Sequence, residues 1–358
     1  MKAIKVDKFG SATSRLRLPV ELTLNGEGYI PSEGDVVVVK ALSESVTYGN
    51  LELPSGRLAK INRNDVLAGV FGKRRALKGF VGDIPAAVKA GDKLHLLNMG
   101  GLIGECKGHH SSYSDAIEVE VVGVAVDGND VVLNIASNAL EPAKSLARSA
   151  PVIVVAGSSM HSGKTVAACE IIKQANQAGL NVAGAKMSGV AALRDTYNML
   201  DHGASEVASF LDCGLPSTVD MDDLAPVAKA ILNHLNESDP DLIVVELGDG
   251  ILGGYSVDTI LKDAEIRDAM TSLVFCTSDY VGIVGGRTVL EALGLHIDVV
   301  AGSVTDSKMG EDYVRERLGI TAANAHRNGE QLFFLCYGAA SNLQPIPVDG
   351  VSEIGITI

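Results

Sequence analysis

The stretch VVAGSSMHSGKTVAACE, Val154–Glu170, decides how the second half of this chain is read. A run of apolar residues enters a loop of small residues, and Gly163-Lys164-Thr165 leads into a segment with helical spacing. Small residues let backbone amides face a phosphate, and the helix start adds partial positive charge. A lysine and a hydroxyl at this point suit a polyphosphate and its Mg²⁺. Residues Gly157, Ser158, Ser159, Met160, His161, Ser162, Gly163, Lys164, Thr165 and Val166 are therefore expected to line a phosphate site. Lys164 would reach the β- and γ-phosphates, and Thr165 would hold the metal. The spacing is G-x5-G-K-T, with Ser158 where the more usual four-residue gap places glycine.

Downstream, the texture alternates between strand and helix. Val152–Ala156 reads as a buried strand, and TVAACEIIKQANQAG as a helix stopped at Gly179. NVAGAKM, DLIVVEL, SLVFCTS and HIDVVAGSV read as further strands, with helices over Asp222–Asn236 and up to Leu293. This alternation predicts an α/β domain, a mostly parallel sheet with helices on both faces.

Upstream, the texture is β. A turn ending in Asp precedes an apolar run three times: SEGD before VVVVKAL, NRND before VLAGVFG, and AGD before KLHLLNMGG. Strands are also expected over Glu118–Val126 and Val131–Ala136. Short strands between Gly/Asp turns predict a small β-rich barrel or sandwich. The threefold pattern reads either as a repeat or as turn chemistry alone. Ser137–Ala150 reads as a short helical connector. The division is then 1–140 for the β-rich domain, 141–150 for the connector, and 151–358 for the P-loop domain.

The loop GSSMHSGKTV resembles that of dethiobiotin synthetase and its relatives, within the SIMIBI class of P-loop NTPases. Cobyric acid synthetase-like amidases and nickel-insertion GTPases lie nearby in that class. Two further segments carry the resemblance. GLNVAGAKMSGVAALRDTYNMLDHGA resembles the second strand and the loop after it. There the resemblance implies that Lys186 contacts phosphate or substrate and that Asp195 faces the metal. IVVELGDGILGGYS resembles the strand that ends in an acid on Mg²⁺, here Glu246. Its Gly248, Gly250, Gly253 and Gly254 would keep the following loop close to the ligand. The resemblance spans about Pro151–Thr305 and implies Lys164, Lys186 and Glu246 as catalytic, with Thr165, Asp195 and Glu246 on the metal. The guanine-reading Asn-Lys-x-Asp is absent, and the likeness to dethiobiotin synthetase implies ATP over GTP. Thr305, Asp306 and Ser307 stand where relatives touch the base but match no base-reading pattern.

Each assignment has a plainer rival. Asp195 could cap a helix, Lys186 could reach solvent, His161 could face water, and Asp249 could serve only its turn. Glu246 ends a buried apolar strand, where an unpaired carboxylate is costly, and this favours a metal or polar partner. Cys106, His109 and His110 invite a metal reading against an exposed loop, but the spacing is not that of a structural zinc site. Arg74 and Arg75 could meet an anion or form a solvated basic turn.

The 358 residues carry a net charge of −14. Residues 1–150 hold 18 basic against 17 acidic side chains, and 151–358 hold 12 against 27. An acidic second half argues against nucleic-acid binding. No apolar run reaches membrane-spanning length. The five scattered cysteines suggest no disulfide framework, and Cys169, Cys276 and Cys336 read as buried. The expectation is a cytoplasmic Mg-dependent enzyme that activates a carboxylate or similar small-molecule acceptor with ATP, with a homodimer as the candidate assembly. The alternatives are a nucleotide switch or metallochaperone NTPase, and a nucleotide-binding regulator without turnover.

Overall fold

A computed structural model describes residues 2–341. The tail of the expected P-loop region, 342–358, lies outside these residues.

The N-terminal half is built on five strands: β1 (Val36–Ala41), β2 (Val66–Phe71), β3 (Lys93–Asn98), β4 (Leu102–His109) and β5 (Glu118–Val126). β1 pairs with β2 and β5, β2 with β4, β4 with β3, and β3 with β5, so the ring closes. All contacts are antiparallel except β2–β4. Every strand contributes alternate residues to one buried cluster, including Val37, Val39, Leu67, Phe71, Leu94, Leu96, Ile103, Val119 and Val121. A face common to all five strands of a ring is its interior, so this cluster fills a small barrel.

The three Asp-ended turns explain three of these strands. Asp35, Asp65 and Asp92 each accept the amide three residues back, from Ser32 (2.7 Å), Asn62 (2.6 Å) and Lys89 (2.9 Å). The same side-chain turn launches β1, β2 and β3, so the threefold pattern is turn chemistry.

Two expectations in this half fail. Val131–Ala136 is not a strand. It makes only single bridges, Val126 with Val132 and Asp35 with Asn134. The Asn134 side chain then accepts the Ala136 amide and starts a 3₁₀ turn over Ile135–Asn138. The connector is not helical beyond that turn. Pro142 cannot donate a helical hydrogen bond, and the neighbouring amides are taken by the second half. Leu140 donates to the Asp212 carbonyl and Ala143 to that of Pro226. Ala147 and Ala150 donate to the Asn233 and Asn236 side chains at 2.8 Å each. The connector is an extended strap.

The C-terminal half is a six-stranded, wholly parallel sheet. Its strands are β6 (Val152–Gly157), β7 (Val182–Lys186), β8 (Glu206–Ser209), β9 (Leu242–Glu246), β10 (Met270–Cys276) and β11 (Val299–Ala301). The spatial order is β8-β7-β9-β6-β10-β11. Alternating residues send Ile153, Val155, Val244 and Val274 to one face, under α1 (Lys164–Gln177) and the C-terminal helix Gly329–Ser341. Val154, Ala156, Val245 and Phe275 point to the other, where the helix Ala225–Asn236 packs. That helix begins three residues later than its sequence suggests. Pro226 occupies its first turn, and the Asp223 side chain accepts the Ala225 amide.

The core on this second face continues without a break into the outer face of the barrel, through Val36, Val38, Ala68 and Val70. All five cysteines are free; four are buried and Cys106 is half-buried. Among the described residues, no helix is long and apolar enough to cross a membrane.

Candidate functional site

The site lies at the carboxyl ends of β6, β7 and β9, where open parallel sheets present their loops. β6 delivers the loop Ser158–Gly163, which enters α1 at Lys164. Two residues of this loop hold left-handed conformations, His161 at φ 63° and Gly163 at φ 97°. Gly302 closes the loop from below, and a Cβ there would lie 2.1 Å from the Ser162 carbonyl oxygen.

The loop divides into a bracing part and an open part. The Ser158 amide donates to the Cys276 carbonyl, and its hydroxyl contacts that of Thr277 at 3.1 Å. Gly157 accepts the Ile251 amide, and the Met160 amide donates to the Asp249 carboxylate. Gly157, Ser158 and Met160 thus spend these groups on the surrounding scaffold. Among the described residues, no hydrogen bond occupies the six consecutive amides from His161 to Val166. Six free donors at the start of a 14-residue helix form an anion cradle. His161 is exposed at its rim.

Lys164 is 5% exposed, and its ammonium folds onto the Ser159 carbonyl at 2.7 Å, with the Ser162 hydroxyl at 3.5 Å. Burial pulls its pKa down, and the positive charge of Lys186 adds to this. An anion in the cradle would oppose both effects by favouring the charged lysine.

β7 and β9 pair in parallel with Lys186 opposite Glu246, so both side chains meet at the sheet's end. The Lys186 ammonium lies 2.6 Å from Glu246 Oε1 and 2.8 Å from Asp195 Oδ2. Burial opposes its charge, but the two carboxylates outweigh this and the lysine pKa rises. The Lys186 charge in turn holds the Asp195 carboxyl below its usual range. Asp195 lies in the first turn of the helix Arg194–Asp201 but makes no side-chain cap. Its partner is Lys186, which links it to Glu246.

Thr165 Oγ1 donates to Glu246 Oε1 at 2.9 Å. Glu246 is 1% exposed, and its Oε2 is buried with no hydrogen-bond partner. A buried carboxylate oxygen without a partner is expensive. With a hydroxyl beside it and a phosphate cradle above, the donors present are hard oxygens, which fit Mg²⁺.

These groups wall a cleft of about 480 Å³. Its floor holds Lys164, Thr165, Lys186, Asp195 and Glu246, His161 stands at the rim, and Asp249 and Tyr255 stand at one side. Burial pushes the Asp249 carboxyl up, against the opposing charge of Lys164. The barrel supplies the opposite wall with Arg74, Ala76 and Asn98. The basic pair of the sequence therefore separates. Arg75 is ion-paired with Asp83 and Asp220, whereas Arg74 is buried and lines the cleft. A solvated turn does not describe Arg74, because Tyr48 and Leu97, both distant in sequence, enclose it. Asn98, Arg194 and Tyr255 also line the cleft, and no local motif marks them.

The glycine-rich segment serves packing. A Cβ on Gly248 would lie 2.0 Å from the Ser188 carbonyl oxygen, and one on Gly250 would lie 2.4 Å from that of Ser158. Gly253 and Gly254 sit beside Asp249 and Arg75. Thr305 and Asp306 are bound by Asn324 and Arg327, and Ser307 caps the next helix. His109 and His110 bond to Asp115 and Ser112. Among the described residues, no group of three or more His, Cys, Asp or Glu gathers as a metal site.

The parallel sheet, phosphate-type loop and following helix define a P-loop NTPase fold. No protein-family model and no curated protein matches the chain. Solved structures give distant likenesses. Chloroplast FtsY from Physcomitrella patens is 14% identical over 56% of this chain and 70% of its own, with a TM-score of 0.37. Cell division protein FtsY from Thermotoga maritima is 16% identical over 56% and 71%, at 0.38. A DUF1611 family protein from Anabaena variabilis is 14% identical over 57% and 64%, at 0.39. At these TM-scores the likenesses carry no functional argument, which rests on the site itself.

Proposed function

We propose that the chain is a Mg-dependent, ATP-using P-loop enzyme of the SIMIBI class that transfers a phosphoryl group to a small acceptor in the cleft. The observation that carries this reading is the run of six unoccupied amides, His161–Val166, beside the buried Lys164 and the unpartnered Glu246 Oε2. The amides would hold the β- and γ-phosphates, with Lys164 released from the Ser159 carbonyl to join them. Thr165 and Glu246 would hold Mg²⁺, which when bound neutralises charge on the transferring phosphoryl group. Lys186 orients Glu246, and Asp195 balances Lys186. Such transfer depends chiefly on positioning and charge neutralisation. The dethiobiotin synthetase-like loop favours ATP and a carboxylate acceptor.

Titration calorimetry with Mg·ATP and Mg·GTP tests the nucleotide. ATP should bind with Mg²⁺ and far more weakly with EDTA; no heat from either triphosphate refutes the reading.

A nucleotide switch is the second reading, and one observation favours it. The segment between Lys186 and Tyr197 is gripped by the barrel. Glu52 accepts the Leu193 amide (2.7 Å), Asn98 donates to the Ala191 carbonyl (2.9 Å), and Tyr197 donates to the Pro54 carbonyl (2.7 Å). Movement there on hydrolysis would reach the barrel. Turnover independent of any small acceptor would favour the switch.

A further inference from the structure

We infer that Arg74, on the barrel side of the cleft, is the anchor for a carboxylate of the acceptor. The inference rests on the proposed P-loop chemistry and adds the acceptor's chemical class and the residue that selects it.

Arg74 is 5% exposed, yet it makes no ion pair among the described residues. Its Nη1 donates to the Leu97 carbonyl and its Nη2 to the Tyr48 hydroxyl at 2.8 Å. Its guanidinium carbon stacks 4.8 Å from the Tyr48 ring centroid. Its Nε is buried without any partner. Neutral acceptors and an aromatic ring fix the fork in place, but they do not cancel its charge. A buried guanidinium left uncompensated is costly, and arginine's planar fork suits a carboxylate. Its neighbour shows the contrast, since the half-buried Arg75 has two carboxylates, Asp83 and Asp220.

The cleft acids do not fill the role. Asp195 and Glu246 are engaged by Lys186, and Asp249 accepts the Met160 amide. Asp249 feels the Arg74 charge but forms no ion pair with it. The missing counterion is then a ligand, and the cleft is where it can enter. Arg74 on one wall and the phosphate cradle on the floor would place an anionic acceptor against the triphosphate's end.

The test uses the full chain and calorimetry, with succinate and glutarate as probes, each titrated onto protein saturated with Mg·AMP-PNP and onto nucleotide-free protein. At least one dicarboxylate should bind the wild type. Arg74→Gln should weaken it by tenfold or more while Mg·AMP-PNP affinity stays within twofold. Arg74→Lys, which keeps the charge without the fork, should show a smaller loss, and it stands in if the Gln variant fails to fold. Inorganic phosphate and Mg·ADP form the control arms. If Arg74→Gln weakens Mg·AMP-PNP but not Mg·ADP, the residue serves the γ-phosphoryl group and the inference is wrong. Unchanged dicarboxylate affinity in the variant, or no binding to wild type, also overturns it. Absence of AMP-PNP binding with intact dicarboxylate binding would instead sink the nucleotide reading and leave the anchor standing.

Discussion

The two halves of the cleft were assembled by different rules. On the sheet side, the phosphate cradle comes from one continuous segment, because a strand, a tight loop and a helix start are neighbours in the chain. On the barrel side, Arg74 and Asn98 come from separate strands, Arg74 from the short strand Arg74–Arg75 and Asn98 from the end of β3, and meet at the cleft only through tertiary packing. Local chemistry can be read locally; a wall made of strand ends cannot. The sheet side should therefore control nucleotide binding, and the barrel side should control stability and the acceptor.

The sharpest way to break that division is Lys164→Ala. It removes the only ammonium inside the loop, and a charge-assisted phosphate contact of about 3–4 kcal/mol corresponds to a hundredfold to thousandfold loss. Mg·ATP affinity should fall by that order while the circular dichroism spectrum and melting temperature hold. Wild-type ATP affinity in this variant would show that the loop binds something else.

Next in effect on nucleotide affinity is Gly302→Ala. The residue holds φ 82°, and its Cβ would collide with the Ser162 carbonyl oxygen. The loop must shift, so nucleotide affinity should drop about tenfold, equivalent to about 1.4 kcal/mol. Unimpaired binding would mean that the cradle tolerates displacement and that its amides are not the main contact.

These two residues also mark how far the sequence could be read. The P-loop, its strand and its helix were legible because phosphate binding needs small residues, Lys and Thr at fixed spacing. The three Asp-ended turns announced β1, β2 and β3 for a similarly local reason. Gly302 was not legible, since its need for glycine arises from a loop 140 positions earlier (Ser162). Arg74 looked like a basic turn because its enclosure by Tyr48 and Leu97 is tertiary. The strap over Ser137–Ala150 looked helical because its alanines and leucines suit a helix. The side chains of Asn233 and Asn236, which claim its amides, lie on a helix far along the chain. Lys186, Asp195 and Glu246 were singled out by resemblance, but the Lys186–Glu246 pairing follows from the β7–β9 register, and Asp195 joins it from the helix Arg194–Asp201.

Glu52→Ala probes the barrel side. Buried Glu52 accepts both the Leu193 amide and the Ser11 hydroxyl. Leaving those donors unsatisfied should cost about 2–3 kcal/mol in urea denaturation. Mg·ATP affinity should change less than about threefold, worth under about 0.7 kcal/mol. A larger change would erase the division of labour and favour the switch reading, in which the barrel governs the nucleotide site.

The smallest effect on nucleotide affinity is at Glu33, on the barrel just before β1. Burial pushes its pKa from 4.5 up to about 6, with Lys73 opposing and Asp220 reinforcing the shift. Its Oε1 is buried without a hydrogen-bond partner. A carboxyl whose pKa is raised by folding prefers its proton in the native state. Its contribution is therefore fully present below 4.5 and is lost as pH rises through about 6. Glu33→Gln removes that loss, so the variant should match wild type near the acid end and exceed it at pH 8 by about 1–2 kcal/mol. Urea denaturation at pH 4 and pH 8 measures the difference. Equal gains at both pH values would trace the effect to packing, and no gain at pH 8 would mean that the carboxylate ionises in the fold without cost. Mg·ATP affinity should be the same in both proteins at pH 8, because Glu33 is not among the residues lining the cleft.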